Sequence, residues 1–314
     1  MSNKPSSDTG SVVSLWRYPI KSMMGEELHA TSVTDGGLLG DRVYAVIDQS
    51  TGKVASAKYP RKWGKLFDFR AAFLEPPRPG EPLPSVRITL PDSAIVTSAQ
   101  EHVHACLSSV LEREVTLTTT RPASPSVEVE RLDALDPAET IVDIGAFMMQ
   151  GRFSDYAAVH LLTTATLDRL RALYPQGRFE ARRFRPNIVV EPTLGQQAFV
   201  ENAWVGHTLA IGAEVRLRIT DPMPRCVMTT LPQGDLPRDL EILHTVRSTT
   251  RWASPFWEAR RGLVWVSVRS CSKAVRSAVV IQSGLHRQTE AGESQREMRV
   301  DQENNAIRSL KTAG

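Results

Sequence analysis

The chain has 314 residues, and its 38 Lys and Arg residues exceed its 35 Asp and Glu residues by a formal charge of only +3, too small an excess to indicate a nucleic-acid partner. The length is about twice a typical domain of ~150 residues, which predicts two domains or one large one. No apolar run approaches the ~18 residues of a membrane span, and the polar start lacks the apolar core of a signal peptide, so we expect neither.

Residues 11–122 show the pattern of short strands and turns that is typical of a β-barrel-like domain. Turn residues at 49–52 and five prolines between 76 and 84 separate the apolar and β-branched runs, and one later segment has helical spacing. We predict strands at 11–17, 43–48, 53–58, 65–74, 86–90 and 114–120, and a helix at 98–111.

A proline-rich stretch at 121–125 indicates a boundary, after which residues 126–270 form a second β-rich unit with peripheral helices. We predict strands at 140–144, 188–191, 208–211, 214–220 and 263–268, and helices at 164–174 and 237–246, with Thr163 or Thr164 as the N-cap of the first helix. The remaining residues, 271–314, are polar and are predicted to be disordered or weakly helical. The predicted fold class is therefore mainly β (α+β).

Only three cysteines occur, which excludes a disulfide scaffold and predicts a reducing, cytoplasmic location. Cys226 follows a predicted strand on a loop fixed by two prolines, and Arg225 beside it favours a thiolate that attacks substrates or binds a soft metal. The alternative is that Cys226 is a small buried hydrophobe. Cys106 lies on an apolar helical face and is predicted to be core, and Cys271 borders the polar tail. Zinc at His102, His104 and Cys106 is disfavoured, because side chains two apart on a helix diverge.

Several cations and polar residues lie on loops beside predicted strands, and together they could form an anion pocket. They are Lys21, Ser22, Arg42, Thr163, Thr164, Arg182, Arg183, Arg185 and Asn187. The alternative for each of the cations is an ordinary solvated surface charge. A soft-metal cysteine next to a phosphate pocket would suit a phosphorylated metal cofactor, although spacing alone does not show that these groups converge.

Four separated stretches resemble the MOSC proteins with their associated N-terminal β-barrel domain, and are most similar to the subgroup of the mitochondrial amidoxime reducing component and its bacterial relatives. They are WRYPIKS at 16–22, GLLGDR through Asp48 at 37–48, the helix start HLLTTATL at 160–167 within 153–170, and FRPNIVV at 184–190 together with the Arg225–Cys226 pair. The stretches occur in the family's order, and the resemblance covers about 11–268.

The resemblance implies a molybdenum–molybdopterin cofactor in the cleft between the two domains. Cys226 would be the thiolate ligand of molybdenum, with Arg225 beside the metal, and Lys21, Ser22 and Arg42 would hold the phosphate or the pterin. Thr163, Arg185 and Asn187 would contribute further hydrogen bonds to the cofactor. The implied activity is an oxidoreductase that reduces N-oxygenated or related oxo-bearing small molecules by two electrons.

Two departures from the family pattern matter. The segment after 268 (RSCSKAVRSAVVIQSG) does not match the family's usual closing strand, so we expect that strand to be missing, replaced or altered. The cysteine spacing of a plant-type ferredoxin does not occur, so electrons are expected from a separate partner: a cytochrome b5-like protein, a ferredoxin or a flavoprotein.

Other functions remain open on the sequence alone. Cys226 could carry a persulfide in sulfur transfer or cofactor sulfuration, although the pyridoxal-phosphate desulfurase domain of the sulfurases has no counterpart in this sequence. The chain could instead carry the cofactor to other proteins without reductase activity. It could also be a barrel protein that has lost the family's function, given the altered C-terminal segment.

Overall fold

The computed structural model describes residues 10–130, 141–143, 152–193, 199–249, 266–270 and 279–282, and for 141–143, 266–270 and 279–282 it describes the backbone alone. The strands are β1 (Gly10–Arg17), β2 (Glu26–Leu28), β3 (Ala30–Thr34), β4 (Gly37–Leu38), β5 (Ala45–Asp48), β6 (Arg70–Phe73), β7 (Val86–Thr89), β8 (Ile95–Thr97), β9 (Val115–Thr118), β10 (Glu128–Glu130), β11 (Ile141–Asp143), β12 (Val159–Thr163), β13 (Ile188–Pro192), β14 (Thr208–Ile211), β15 (Val215–Pro222), β16 (Val266–Ser270) and β17 (Val279–Gln282). The α-helices are α1 (Pro60–Trp63), α2 (Val103–Leu111), α3 (Thr164–Leu173), α4 (Ala181–Phe184) and α5 (Glu241–Thr249), and 3-10 helices cover Gly64–Asp68, Val200–Trp204 and Val227–Thr230.

The largest sheet has seven strands in the order β14-β15-β16-β12-β13-β1-β2. Its centre is the parallel pair β12 and β13. Every residue of β12 is buried, so this strand lacks the alternation of apolar and polar residues that marks a half-exposed strand in a sequence. The first strand of the chain, β1, lies between β13 and β2, with Leu15 opposite Ile188 on one side and Leu28 on the other. The sheet therefore joins the beginning of the chain to its second half.

The other strands form smaller sheets. They pair β5 with β9, β6 with β7 and β8, β10 with β11, and β3 with β4 and with β17 of the second half. The inward faces of β6, β7 and β9 pack with α2 in one apolar core that includes Ile88, Leu107 and Leu117. A second core lies on one face of the seven-stranded sheet, and α3 and α5 pack in a third.

A small apolar cluster joins the two halves. Met24, Ala57 and Phe67 from the first half pack against Val227 and Leu231 from the second. Because Val227 directly follows Cys226, this packing fixes the position of the cysteine relative to the first half of the chain. The burial of these side chains is what brings the candidate site residues of both halves together.

The mainly β prediction with few helices is confirmed, and most of the predicted elements occur with shifted ends. The predicted strand 65–74 begins only at Arg70, because Leu66 and Phe67 are buried from a 3-10 helix. The predicted strand 53–58 is reduced to a single bridge between Val54 and Ile47. Residues 263–265 of the last predicted strand lie outside the described residues.

The predicted division into 11–122 and 126–270 stays a prediction, although the seven-stranded sheet takes two strands from the first range. Within the predicted disordered range 271–314, residues 279–282 instead form β17, which pairs antiparallel with β3. The rest of that range, including Cys271, lies outside the described residues. No helix in the described part of the chain is long and apolar enough to cross a membrane.

Candidate functional site

Cys226 lies at the junction of the two halves, in the short loop between the end of β15 and a 3-10 helix. It is half-buried, and its carbonyl oxygen accepts hydrogen bonds from the N–H of Thr229 at 3.2 Å and from the Thr229 hydroxyl at 3.1 Å. The loop is therefore closed on itself at its C-terminal side and anchored by the apolar cluster beneath Val227. A thiol in such a place is held in one position without being fully buried.

Arg183 fixes the segment that follows Cys226 from behind. Its guanidinium is fully buried and donates to the carbonyl oxygens of Thr229 at 3.3 Å, Leu231 at 3.2 Å and Pro237 at 2.8 Å. These contacts satisfy the arginine with backbone acceptors. Arg183 therefore supports the loop, and it is not part of the anion pocket suggested by the sequence.

Arg225 lies beside Cys226 and donates from Nη1 to the carbonyl oxygen of Phe184 at 2.9 Å. Burial lowers the pKa of Arg225 to about 10, the neighbouring Cys226 opposes that shift, and the positive charge of Arg42 adds to it. The charge of Arg42, from the first half, therefore acts on Arg225 in the loop of the second half.

Arg42 and Arg185 share one aromatic ring. Their guanidinium carbons lie 4.9 and 4.2 Å from the centroid of the Tyr18 ring, and the Tyr18 hydroxyl donates to the carbonyl oxygen of Pro186 at 3.2 Å. Arg42 also donates from Nη2 to the carbonyl oxygen of Arg185 at 3.3 Å and forms an ion pair with Asp41. The ring therefore orients two cations that the Coulomb force alone would drive apart.

Asn187 ties three strands together at this point. Its Oδ1 accepts from the backbone N–H of His160 at 3.0 Å and from Arg42 Nη1 at 3.3 Å, while its Nδ2 donates to the carbonyl oxygen of Trp16 at 3.1 Å. The side chain is fully buried and all of these partners are protein groups. Its evident role is to position Arg42 against the sheet.

His160 is buried in the same cluster. Its Nδ1 lies 3.3 Å from the carbonyl oxygen of Arg185. Burial, together with the positive charges of Arg225 and Arg42, holds the pKa of His160 well below its usual value, so the ring is neutral at pH 7. A neutral imidazole adds no further charge to a region that is already positive.

Lys21 is 4% exposed and donates from Nζ to the carbonyl oxygen of Phe153 at 2.9 Å. It also forms an ion pair with one oxygen of Asp155, whose other oxygen lies 3.1 Å from Nζ of Lys58. Burial lowers the pKa of Lys21 to about 8 in spite of this carboxylate. Lys21 is therefore still charged at neutral pH, although removal of its ammonium group from water disfavours the charged form.

Ser22, Arg42 and Arg185 all have a left-handed backbone, with φ of 65, 50 and 55°. This conformation is strained for residues with a side chain, and such strain is concentrated at functional sites. The Ser22 hydroxyl accepts from the N–H of Ala57 at 3.1 Å, which fixes the turn next to Lys21. Three of the sequence-predicted site residues thus share one unusual local geometry.

Thr163, like Arg182 and Arg183, is a predicted site residue that the contacts do not bring to this cluster. It lies at the other end of β12, three residues or roughly 10 Å from His160. Its hydroxyl accepts from the N–H of Thr166 at 3.2 Å and donates to the buried Glu201 at 2.8 Å. Thr163 is therefore the N-cap of α3, as the sequence also suggested, and its predicted contact with the cofactor stays a prediction.

Four residues of the cluster were not predicted from the sequence: Tyr18, Lys58, Asp155 and His160. Tyr18 and His160 lie inside stretches that the resemblance quoted, but no spacing rule marked them as site residues. Asp155 and Lys58 are nearly a hundred residues apart and meet only in the fold. Asp155 lies inside the quoted range 153–170, so a search of that range for charged residues would have pointed to it.

The cluster as a whole has more positive than negative charge. Two carboxylates, Asp41 and Asp155, face five cations, which are Lys21, Lys58, Arg42, Arg185 and Arg225. Among the described residues, Nη1 of the buried Arg185 has no hydrogen-bond partner. Burial lowers the pKa of Arg185 to about 10. A buried excess of cations with an unpartnered guanidinium nitrogen is suited to binding an anion.

Two family models match the chain. Residues 9–72 match the MOSC N-terminal beta barrel domain, and residues 149–279 match the MOSC domain. The chain is 26% identical over 257 residues to mitochondrial amidoxime reducing component 2 of Rattus norvegicus and 27% identical over 262 residues to mitochondrial amidoxime-reducing component 1 of Homo sapiens. Each alignment covers 76% of this chain and 72% of the relative. The two matched ranges together contain every charged residue of the cluster and Cys226.

Proposed function

We propose that this chain, which carries a MOSC N-terminal beta barrel domain followed by a MOSC domain, is a molybdenum-cofactor-dependent oxidoreductase. The observation that carries the proposal is the convergence of Cys226 with a buried excess of cations drawn from both halves. A phosphorylated pterin that holds a soft metal requires both an anion pocket and a thiolate. The unpartnered Nη1 of Arg185 fits such an anion.

In this proposal Cys226 is the protein ligand of the metal and Arg225 lies beside it. Lys21, Ser22 and Arg42 hold the phosphate or the pterin, and Arg185 donates from its unpartnered nitrogen. When bound, the molybdenum centre would supply two-electron redox chemistry at an oxygen atom. The chain's own contribution is to position the cofactor, to exclude water from its phosphate end and to neutralise its negative charge.

The proposed substrates are N-oxygenated small molecules, because the relatives are named for the reduction of amidoximes. In such a reduction the N–O bond breaks, the oxygen leaves as water, and two electrons and two protons are consumed. The electrons would come from a separate donor protein, either cytochrome b5-like, a ferredoxin or a flavoprotein. The cytoplasmic location stays a prediction, and the names of the relatives contain the word mitochondrial.

The test is the content and activity of protein purified from a host that makes the cofactor. We expect about one molybdenum and one pterin per chain, and reduction of a simple aromatic amidoxime with an artificial electron donor. Cys226→Ser should lower the activity by about 100-fold or more, because the metal loses its protein ligand. Cys106→Ser, which changes a half-buried cysteine at the edge of a core, is the matched control and should keep both cofactor and activity.

Three outcomes would contradict the proposal. Wild-type protein without molybdenum and pterin would exclude a cofactor enzyme. Cofactor bound in full, with no turnover of amidoximes or N-hydroxylated bases by any donor, would favour a carrier that delivers the cofactor to other proteins. A persulfide on Cys226, detected by mass spectrometry in place of the metal, would favour sulfur transfer.

A further inference from the structure

Lys58 lies next to the proposed phosphate end of the site but has no assigned role. Its side chain is 13% exposed, and among the described residues its ammonium forms one ion pair, with Asp155 at 3.1 Å. The other oxygen of the same carboxylate binds Lys21. One carboxylate thus bridges two buried or nearly buried ammonium groups.

The backbone fixes this arrangement. The N–H of Ala57 donates to the Ser22 hydroxyl at 3.1 Å, so the segment that carries Lys58 is tied to the turn that carries Lys21. Ala57 is also part of the apolar cluster that joins the two halves. Lys58 is therefore held near Lys21 by contacts that do not involve its own ammonium group.

The hydrogen-bond count leaves capacity for a ligand. The two ammonium groups have six N–H bonds, and within the described part of the chain three of them have acceptors: the carbonyl oxygen of Phe153 and the two oxygens of Asp155. Asp155 is 30% exposed, so the bridge is reachable from solvent. A ligand with several oxygens on one atom could bridge both ammonium groups as the carboxylate does.

We infer that Lys58 and Lys21 form a two-lysine subsite for an oxyanion. In the absence of the oxyanion, the carboxylate of Asp155 neutralises the two ammonium groups and keeps them together until a phosphate or a similar oxyanion binds. The inference rests on the proposed function only for the identity of the oxyanion, which would be the phosphate of the cofactor. The chemistry of the subsite is the same for a free phosphate or sulfate.

Asp155 and the oxyanion compete for the same ammonium hydrogens, which gives the two residues opposite effects. Lys58→Gln removes a cation and should weaken binding. Asp155→Asn removes the competitor and should strengthen binding, while it lowers the melting midpoint of the ligand-free protein, because two ammonium groups then face each other without a carboxylate. A purely structural role for Asp155 predicts weaker binding in both variants.

The experiment uses full-length protein from a host that cannot make the cofactor, with binding of sulfate and of inorganic phosphate measured by titration calorimetry. For Lys58→Gln we expect the dissociation constant of sulfate to rise about tenfold. For Asp155→Asn we expect it to fall severalfold. The matched controls are Lys65→Gln, which changes an exposed lysine paired with Glu112, and Asp235→Asn, which changes an exposed carboxylate that bridges two arginines. Both controls should bind sulfate like the wild type.

Weaker sulfate binding in Asp155→Asn, or unchanged binding in Lys58→Gln, would overturn the inference. The same variants produced in a host that makes the cofactor distinguish a failure of this inference from a failure of the proposed function. A fall in the pterin content of Lys58→Gln identifies the oxyanion as the cofactor's phosphate. Lys58-dependent sulfate binding in a protein that never contains molybdenum would support the subsite and contradict the proposed function.

Discussion

Two clusters of the molecule place a carboxylate between two cations, and they differ in what surrounds them. In the site, Asp155 bridges Lys21 and Lys58 where cations outnumber carboxylates. On the surface, Asp235 is 64% exposed and bridges Arg178 and Arg182, which Glu180 also neutralises.

The pKa values of both bridging carboxylates are lowered, but those of the cations shift in opposite directions in the two clusters. Burial lowers the pKa of Lys21 to about 8 and that of Arg185 to about 10, whereas hydrogen bonds to Asp235 and Glu180 raise the pKa of Arg178. The surface cluster is complete in itself. The buried cluster holds charges that the fold disfavours, which is the arrangement expected where an anion binds.

The largest effect should come from removing a cation of the buried cluster. Arg42→Gln deletes charge-assisted hydrogen bonds to the anion and one partner of the Tyr18 ring. We expect sulfate or cofactor binding to weaken by about 10- to 100-fold, in proportion to the ~1.5–3 kcal/mol of one charged hydrogen bond. Titration calorimetry and pterin content measure it.

The same change on the surface is the control for that prediction. Arg182→Gln removes a guanidinium that is paired with Glu180 and Asp235. Binding should stay at the wild-type level. An equal loss of anion affinity in Arg42→Gln and Arg182→Gln would show that the buried and the surface cluster do not differ in anion binding.

An intermediate effect is expected from pH. Because Lys21 loses its proton as the pH rises through about 8, and only the ammonium form binds an anion, affinity should fall as the pH rises. The affinity for sulfate, whose charge is constant in this range, should fall about tenfold between pH 7 and 9.

The variant Lys21→Arg tests whether the pH dependence comes from Lys21. Lys21→Arg keeps its charge across the range, so its profile should be flatter than that of the wild type. A wild-type affinity that does not change from pH 7 to 9 would show that Lys21 does not contact the anion.

The smallest effect is expected on the surface. Asp235→Asn should move the melting midpoint by less than about 2 °C, because exposed ion pairs contribute little and are screened by salt. Calorimetric scans at low and high ionic strength measure it. A large, salt-independent drop would mean that the surface cluster supports the loop after Cys226, which it adjoins through Arg178 and the carbonyl oxygen of Asp235.

The sequence predicted local structure better than it predicted partners. Side-chain chemistry predicted an N-cap at Thr163 or Thr164, and Thr163 is the cap. The strand 208–211 occurs as predicted from its apolar pattern. The 3-10 helix over Gly64–Asp68 was missed because its apolar residues also suit a strand. Pairing between distant strands has no local signal at all.

In the candidate site, too, some features could be predicted from the sequence and others could not. Loop positions and a resemblance pointed to Lys21, Arg42, Arg185, Arg225 and Cys226. The structure places Arg42 and Arg185 on one aromatic ring and holds Arg225 against Phe184, while the cofactor contacts of all five stay predictions. Arg183 supports the loop, whereas Arg185 lies on the Tyr18 ring. This difference could not be predicted, because the left-handed backbone of Arg185 has no signal in the sequence.

The position of β1 has a consequence for how the protein is made. Leu15 pairs with Ile188, which the ribosome adds 173 residues later. At ~5–20 residues per second, the first strand waits roughly 10–35 s for its neighbour. During that interval β1 has one free edge, and pairings over such long separations also form slowly. The strand that leads into the turn of Lys21 and Ser22 is thus exposed to mispairing with another nascent chain during this interval.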